Sequence, residues 1–405
     1  MTTVLQGTLG VEDVLAGKEV RDVTPGLQHL YKDLSPILNI MSRIPKGPTA
    51  TNEKIEWTQK DLIPRWDTLT TSVATGSTAT VIPTGDGTSK TAYFKTGDVV
   101  MVPNGTMSAT VTNIGVVTTV TANTSIVITP IGWQSNLAVT AKTFTATTAG
   151  DKIHVIADAS EEYSQKPTPK VTKDAQEWNY IQFQRVPYII GNINMDKKKY
   201  TGPERNERRD ETHKDIRIQG EELTVWGDRY YRAGTNGRQF FMRGFHEYIR
   251  AGAGTNILTN WSAGLTESQL DEYLVNGPGN TGIGSKNKFW FMSNDLFLKV
   301  HELGKTAGRI REPATEKFGL MFVKYLAPNG VTYWMYQHHL FTEDHAGYGL
   351  IIDPMAARIR PYGTQGVLRL LTEIQENDRA GIADEWQLIM SLEVSRIEPH
   401  GYQTA

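Results

Sequence analysis

Period-two alternation of apolar and polar residues marks three long stretches of the chain. Lys54–Trp57 sets Ile55 and Trp57 against Glu56 and Thr58 and leads into Leu62-Ile63-Pro64-Arg65-Trp66. Ala175–Ile193 carries Trp178, Tyr180, Phe183, Val186, Tyr188 and Ile190. Together these two predict a two-stranded ribbon, which is marginal unless it rests on something. Near the C-terminus Trp386, Leu388, Met390, Leu392 and Val394 alternate with Gln387, Ser391, Glu393 and Ser395, the pattern of a half-buried antiparallel strand.

A helical period organises the middle of the chain. Pro203–Arg232 holds no strong breaker, and Thr201-Gly202-Pro203-Glu204 reads as a capping box, so the sequence predicts one helix of roughly 45 Å at about 1.5 Å per residue. Its halves differ. Glu204, Arg205, Glu207, Arg208, Arg209, Asp210, Glu211, Lys214 and Asp215 leave the first half without a face to bury, whereas Ile216, Leu223, Trp226 and Tyr230 supply one in the second. Glu204–Arg208 and Asp210–Lys214 have the acid-first order that contributes about 0.2–0.5 kcal/mol per pair. Two readings of the first half follow: a solvated helix end, or a charged rod lying across neighbouring copies of the chain.

Shorter elements flank it. Phe241, Phe245 and Ile249 predict a short helix ended by Gly252, and Thr266-Glu-Ser-Gln269 is a second capping box before Leu270, Tyr273 and Leu274. Lys288–Met292 reads as a strand, after which Ser293 caps a helix carrying Leu296, Val300 and Leu303. Phe318–Leu326 and Val331–Phe341 read as strands joined by the turn Ala327-Pro-Asn-Gly330.

Between the ribbon strands the composition changes. No charged residue occurs from Val99 to Ala141. Asp98–Val102, Ser108–Thr112, Val116–Thr121, Ser125–Thr129, Thr143–Thr147 and Lys152–Ile156 are short β-branched runs separated by Gly, Pro and Asn-Gly, which predicts a small barrel or sandwich of about 70–80 residues. Residues 1–50 read as an arm, because Pro25, Pro36, Pro45 and Pro48 interrupt it. Leu27, Leu30, Leu34, Ile37, Leu38, Ile40, Met41 and Ile44 nevertheless need a surface, on this subunit or another.

Composition narrows the function classes. Across 405 residues, Lys plus Arg 42 against Asp plus Glu 44 gives a net charge of −2, so no global field marks a nucleic-acid or anionic-membrane binder. Without cysteine, disulfides, thiolate catalysis and Cys-ligated zinc are excluded. No signal peptide is evident and no apolar run approaches about 18 residues, so synthesis in the cytoplasm and no membrane partner are expected.

Candidate chemistry is sparse. Gly279-Asn-Thr-Gly-Ile-Gly-Ser-Lys286 fails as a phosphate loop, because Ser-Lys precedes a strand instead of Gly-Lys-Ser/Thr opening a helix. His338, His339, Glu343, Asp344 and His345 are the densest set of possible metal ligands, but adjacent histidines on a strand face opposite ways. Glu161-Glu162 and Glu221-Glu222 read as surface acids. No nucleophile elbow, dinucleotide fingerprint or kinase motif occurs. The expectation is a structural protein, not an enzyme, with no cofactor and no metal. Lys197-Lys198-Lys199 with Arg205, Arg208 and Arg209 form the local cationic patch, suited to salt-sensitive contact with a nucleic-acid backbone.

The order of arm, ribbon, long charged helix, α/β lobe and closing alternating strand resembles the tailed-phage major capsid proteins, with their α+β, HK-ninety-seven-like fold. The phrases Leu34-Ser-Pro-Ile-Leu38, Glu56-Trp57 with Asp61-Leu62-Ile-Pro-Arg65, and Phe291-Met-Ser-Asn-Asp-Leu296 carry the likeness. The resemblance implies an N-terminal arm (1–50), an extended loop (51–72 and 160–195), an inserted small β-barrel or sandwich domain (73–158), a peripheral domain with a spine helix (196–237 and 381–405) and an axial domain (238–380). It implies self-assembly through hexamers and pentamers into an icosahedral or prolate head shell of the virion, around double-stranded DNA. Portal, scaffold and decoration proteins are further implied partners. A tail or adhesin protein carrying the β domain is the alternative. Trp57, Trp66, Trp178, Tyr180, Glu204, Arg208, Arg209, Asp210 and Lys214 are the candidate inter-subunit contacts, because an extended ribbon is not expected to bury such aromatics within its own subunit.

Overall fold

The computed structural model describes residues 35–405 apart from 61, 86–88, 106, 109, 136–137, 141, 161, 164–168, 198–201, 253, 281–283, 307–314, 318–319, 364–365 and 375–379. The arm residues Leu27, Leu30 and Leu34, the Thr201 cap and Lys198-Lys199 therefore lie outside the described residues. Among those described, the α-helices are α1 (Pro36–Arg43), α2 (Asn192–Met195), α3 (Glu204–Trp226), α4 (Phe245–Gly252), α5 (Glu267–Asn276) and α6 (Asn294–Thr306). The chain divides into two compact units, Thr58–Gln176 and Met1–Trp57 with Glu177–Ala405. Both chain crossings fall in the pairing of Lys54–Gln59 with Ala175–Tyr180.

The unit Thr58–Gln176 is built on one six-stranded sheet. Its order is Trp66–Thr68, Lys152–Asp158, Asp98–Met101, Ile114–Thr121, Ser125–Pro130, Ala79–Val81, antiparallel throughout. The two ends of that order meet: Thr70 N–H donates to Ile82 O and Thr84 N–H to Thr68 O, each at 2.8 Å. The sheet thus closes into a barrel, which leaves no open edge. Val100, Val117, Ile126, Ile128, Phe144 and Ile153 fill it. Trp66 is therefore a barrel residue, not a ribbon residue, since Trp66–Thr68 pairs with Lys152–His154.

The other unit holds two main sheets, of seven and of four strands. One runs Ile257–Leu258, Gly401–Gln403, Gly349–Ile352, Asn287–Met292, Thr332–Gln337, Leu320–Leu326, Thr315–Lys317. Asn287–Met292 lies at its centre, parallel to Thr332–Gln337 and antiparallel to Gly349–Ile352. Trp290 and Met292 pack with Leu270, Leu274, Leu296 and Val300 of α5 and α6, while Phe289 and Phe291 join the core shared with α1, α3 and α4. Both capping predictions hold here: Thr266 and Gln269 form the reciprocal box of α5, and Ser293 Oγ accepts from Leu296 N–H at 3.3 Å.

The second sheet centres on the fourteen-residue strand Gly381–Val394, which pairs with Gln182–Gly191 on one side and with Ala357–Pro361 and Leu368–Leu371 on the other. Here the expectation of one half-buried face fails, because Gln387, Ser391 and Glu393 are buried as well. Cross-strand partners make that possible: Arg358 donates to Glu393, and Ser391 Oγ donates to the Tyr180 carbonyl. The predicted ribbon strand Ala175–Ile193 is likewise two strands. Ala175–Tyr180 pairs with Lys54–Gln59, and from Gln182 onward the partner is Gly381–Val394.

Helix α3 is shorter than predicted. It stops at Trp226, where Gly227 N–H donates to Leu223 O at 2.9 Å. A Cβ at Gly227 would lie 2.4 Å from the Met242 carbonyl, so only glycine allows this exit. Tyr230–Gly234 and Gly237–Phe241 then form a hairpin. Gly234-Thr-Asn-Gly237 is the turn signal that should have ended the predicted helix. Gly220 lets α3 approach the second sheet, since a Cβ there would lie 2.6 Å from Leu388 Cδ2.

Candidate inter-subunit site

The polar half of α3 does have a face to bury, and it buries it by ion pairing within the chain. Asp384, on the strand beneath, is fully buried. It receives Arg205 through Nε (2.8 Å) and Nη2 (2.9 Å), the Tyr188 hydroxyl (2.6 Å) and the Glu373 N–H (2.8 Å). Burial alone would raise the pKa of this carboxyl; Arg205, Tyr188 and the amide outweigh it and hold the carboxyl far below the usual carboxylate range. Arg209 approaches the same carboxylate at 3.8 Å, and the Trp386 indole N–H donates to the Arg209 carbonyl at 3.1 Å. Arg208 turns outward to Glu204 (3.1 Å) and Glu211 (2.9 Å). No ion pair joins Asp210 to Lys214 among the described residues, so that predicted pair is not made within the chain. Of the charged candidates, Arg208 and Asp210 remain exposed and Arg209 and Lys214 half-exposed.

The ribbon aromatics also find partners at home, contrary to expectation. Trp178 lies between two cations, Arg229 at 3.8 Å and Lys54 at 4.7 Å from its ring centre. Tyr180 meets Trp178 edge-on at 5.0 Å and Phe240 at 5.3 Å. Trp57 packs against the cores formed around Ile55 and Ile181 and around α1 and α3. Between them Asn179, fully buried, ties three segments: its amide nitrogen donates to the Arg243 and Leu392 carbonyls and its oxygen accepts from Arg243 N–H. Trp66 stays 49% exposed with Lys152 over its ring. Exposed apolar groups sit instead at Leu62 and Tyr163, each 93% exposed, and at Val171, Ile193 and Met355.

Glu221, read as a surface acid, is fully buried and is a hub. Its two oxygens accept from Ile37 N–H and Leu38 N–H at 2.7 Å each, so a side chain of α3 caps the open N-terminus of α1. His338 completes it. Leu340 N–H donates to His338 Nδ1 at 3.2 Å, which leaves Nε2 to carry the proton and donate to Glu221 at 2.9 Å. α1 is thereby buried in its own subunit, with Ile37, Ile40 and Met41 in the core. From sequence, only the apolar run beside Pro36 hinted at this; a carboxylate 183 residues away gives no local signal.

A second buried cluster joins the strand ends of the larger sheet. Lys288 donates to Asp353 at 3.0 Å and to the Pro399 carbonyl at 3.1 Å. Asp353 N–H donates to His400 Nδ1 at 3.2 Å. Burial pushes the Lys288 ammonium down and the His400 imidazole down to about 3. Among the described residues no three His, Asp or Glu side chains gather as a metal site, and no helix is long and apolar enough to cross a membrane.

What this scaffold belongs to follows from comparison with known proteins. The family model of the SU10 major capsid protein matches residues 3–392. No curated protein sequence matches the chain. Among solved structures it is similar to a chain of Mycobacterium phage Adephagia (10% identity, TM-score 0.47, 98% of each chain covered). It is also similar to the capsid of Myoviridae phage XM1 (9%, 0.45, 99% of this chain and 100% of that one). The SrpI encapsulin of Synechococcus elongatus covers less (12%, 0.40, 57% of this chain and 75% of that one). Matched over almost its whole length, the chain belongs to the SU10 major capsid protein family.

Proposed function

We propose that the chain assembles with copies of itself, as hexamers and pentamers, into the closed head shell of a tailed bacteriophage, around double-stranded DNA. The family match over residues 3–392 carries the reading. Leu62 and Tyr163, each 93% exposed, and Val171 leave large apolar and aromatic surface available to a neighbouring copy. Closed rings of copies supply many modest contacts whose sum holds a shell. Trp66, Arg208 and Asp210 are the predicted contact residues with the most surface to offer a neighbour. Trp57, Trp178, Tyr180, Glu204, Arg209 and Lys214 act through the shape of the ribbon and helix they hold. Portal, scaffold and decoration proteins are the expected further partners in the virion, and synthesis is expected in the host cytoplasm.

Electron microscopy of the purified protein tests this. Shells, or isolated hexamers and pentamers, are expected; a monodisperse monomer under every assembly condition contradicts it.

A further inference from the structure

Six arginines around α3 and the sheet of Gly381–Val394 face carboxylates: Arg205 and Arg209 on Asp384, Arg208 on Glu204 and Glu211, Arg185 on Glu385, Arg358 and Arg360 on Glu393. Arg369 there donates to Gln387 Oε1, and Arg217 of α3 has no ion pair among the described residues. The cationic patch expected at Arg205, Arg208 and Arg209 is therefore spent inside the subunit. The hairpin after α3 differs. From Arg229 to His246 the sequence holds Arg229, Arg232, Arg238 and Arg243 and no Asp or Glu, in a chain of net charge −2.

Arg243 is buried and faces Glu247 at 3.9 Å. The other three have no carboxylate within ion-pair distance among the described residues. Arg229 donates to the Trp178 carbonyl at 2.7 Å. Arg232 donates to Gln239 Oε1 at 2.6 Å and lies 5.7 Å from the Phe241 ring centre. Arg238 stands exposed beside the turn. Asp228, the nearest acid in sequence, accepts from the Arg229 backbone N–H. These cations are positioned by neutral groups, so their charge is left over. Tyr230 and Tyr231, 62% and 52% exposed, put two phenol hydroxyls on the same hairpin.

We infer that the hairpin Tyr230–Phe241 contacts the phosphate backbone of packaged duplex DNA, without reading its sequence. A duplex carries one charge per about 1.7 Å, a density that uncompensated guanidinium groups meet best. Tyrosine and glutamine donors fix position on phosphate oxygens. The inference rests on the shell reading above and says which element faces the nucleic acid. An acidic surface of a second copy is the rival occupant.

The test uses the full-length protein and a fluorescent random-sequence duplex, titrated by anisotropy across a range of salt. The double variant R232Q/R238Q should bind about tenfold more weakly at low salt. Its log-affinity against log-salt slope should be shallower by about 2, roughly 0.9 for each lost phosphate contact. R232K/R238K keeps the charge and should retain the slope. R250Q/K299Q, which removes two cations elsewhere, should match the parent. Unchanged affinity and slope in R232Q/R238Q, or a parent that binds no duplex, overturns the inference. So does a variant that keeps DNA binding but loses shells in the microscope, which assigns the hairpin to a second copy. Failure of the parent to form shells counts against the shell reading instead, and the titration still reads the hairpin.

Discussion

At the scale of single residues, this fold is held by carboxylates that the chain has taken out of water and then surrounded. Asp384 is the clearest. Its folded pKa lies below its unfolded value, so its contribution is present above the ordinary carboxylate range and is lost as pH falls through the folded value. Asp384→Asn leaves Arg205 facing an amide, and destabilisation of about 2–3 kcal/mol is expected in urea melts. His400 acts in a different window. Held neutral by burial, with its pKa lowered to about 3, it favours the folded state above the ordinary imidazole range near 6.5. Between about pH 6 and pH 4 the unfolded chain binds the extra proton, so stability should fall by about 1.4 kcal/mol per pH unit as the solution is acidified. Chemical melts at several pH values should show that slope, flattened by about that amount in His400→Gln.

At the scale of elements, the question is why some were legible and others were not. Alternation found Trp386–Val394, and β-branched runs found four of the six barrel strands, because such side chains announce a pleated surface. Trp66–Thr68 and Ala79–Val81 were too short to signal, and the runs at Ser108–Thr112 and Thr143–Thr147 pair with each other instead. Capping boxes found α5, since Thr266 and Gln269 lie three residues apart. The polar half of α3 misled: its charges looked solvent-facing because their partners, Asp384 and Glu373, lie more than 160 residues away. Glu221 hid for the same reason, as did Asn179. Local pattern reports which side chains must leave water, not which distant groups will neutralise them. The capping of α1 by Glu221 gives a direct check. Glu221→Gln keeps one acceptor and turns an amide N–H₂ toward the second backbone donor, with an expected cost of about 2–4 kcal/mol. Hydrogen exchange should speed up in Pro36–Arg43 before it does so in α5.

For the whole molecule, the two compact units change where the chain should be cut. Removing residues 73–158, the inserted domain that the resemblance implies, strands Trp66–Thr68 without its partner Lys152–His154. Removing 61–173 takes the closed barrel out intact and leaves Lys60 and Asp174, which face each other at 3.4 Å, to be bridged by a short linker. The truncated protein should stay soluble and keep a cooperative melt by circular dichroism. Aggregation on expression would mean that the barrel is needed for the rest to fold.

The place of Gly381–Val394 in the chain has a temporal meaning. Three strands wait for it: Gln182–Gly191, Ala357–Pro361 and Leu368–Leu371 all take it as their partner. Yet it leaves the ribosome after all three of them, and pairings as distant in sequence as that with Gln182–Gly191 form slowly. Until then a nascent polypeptide lacks the floor on which α3 lies. Abortive translation products that end before Gly381 are thus denied the finished subunit's shape. Quality control over which molecules enter a growing particle is written into the order of synthesis.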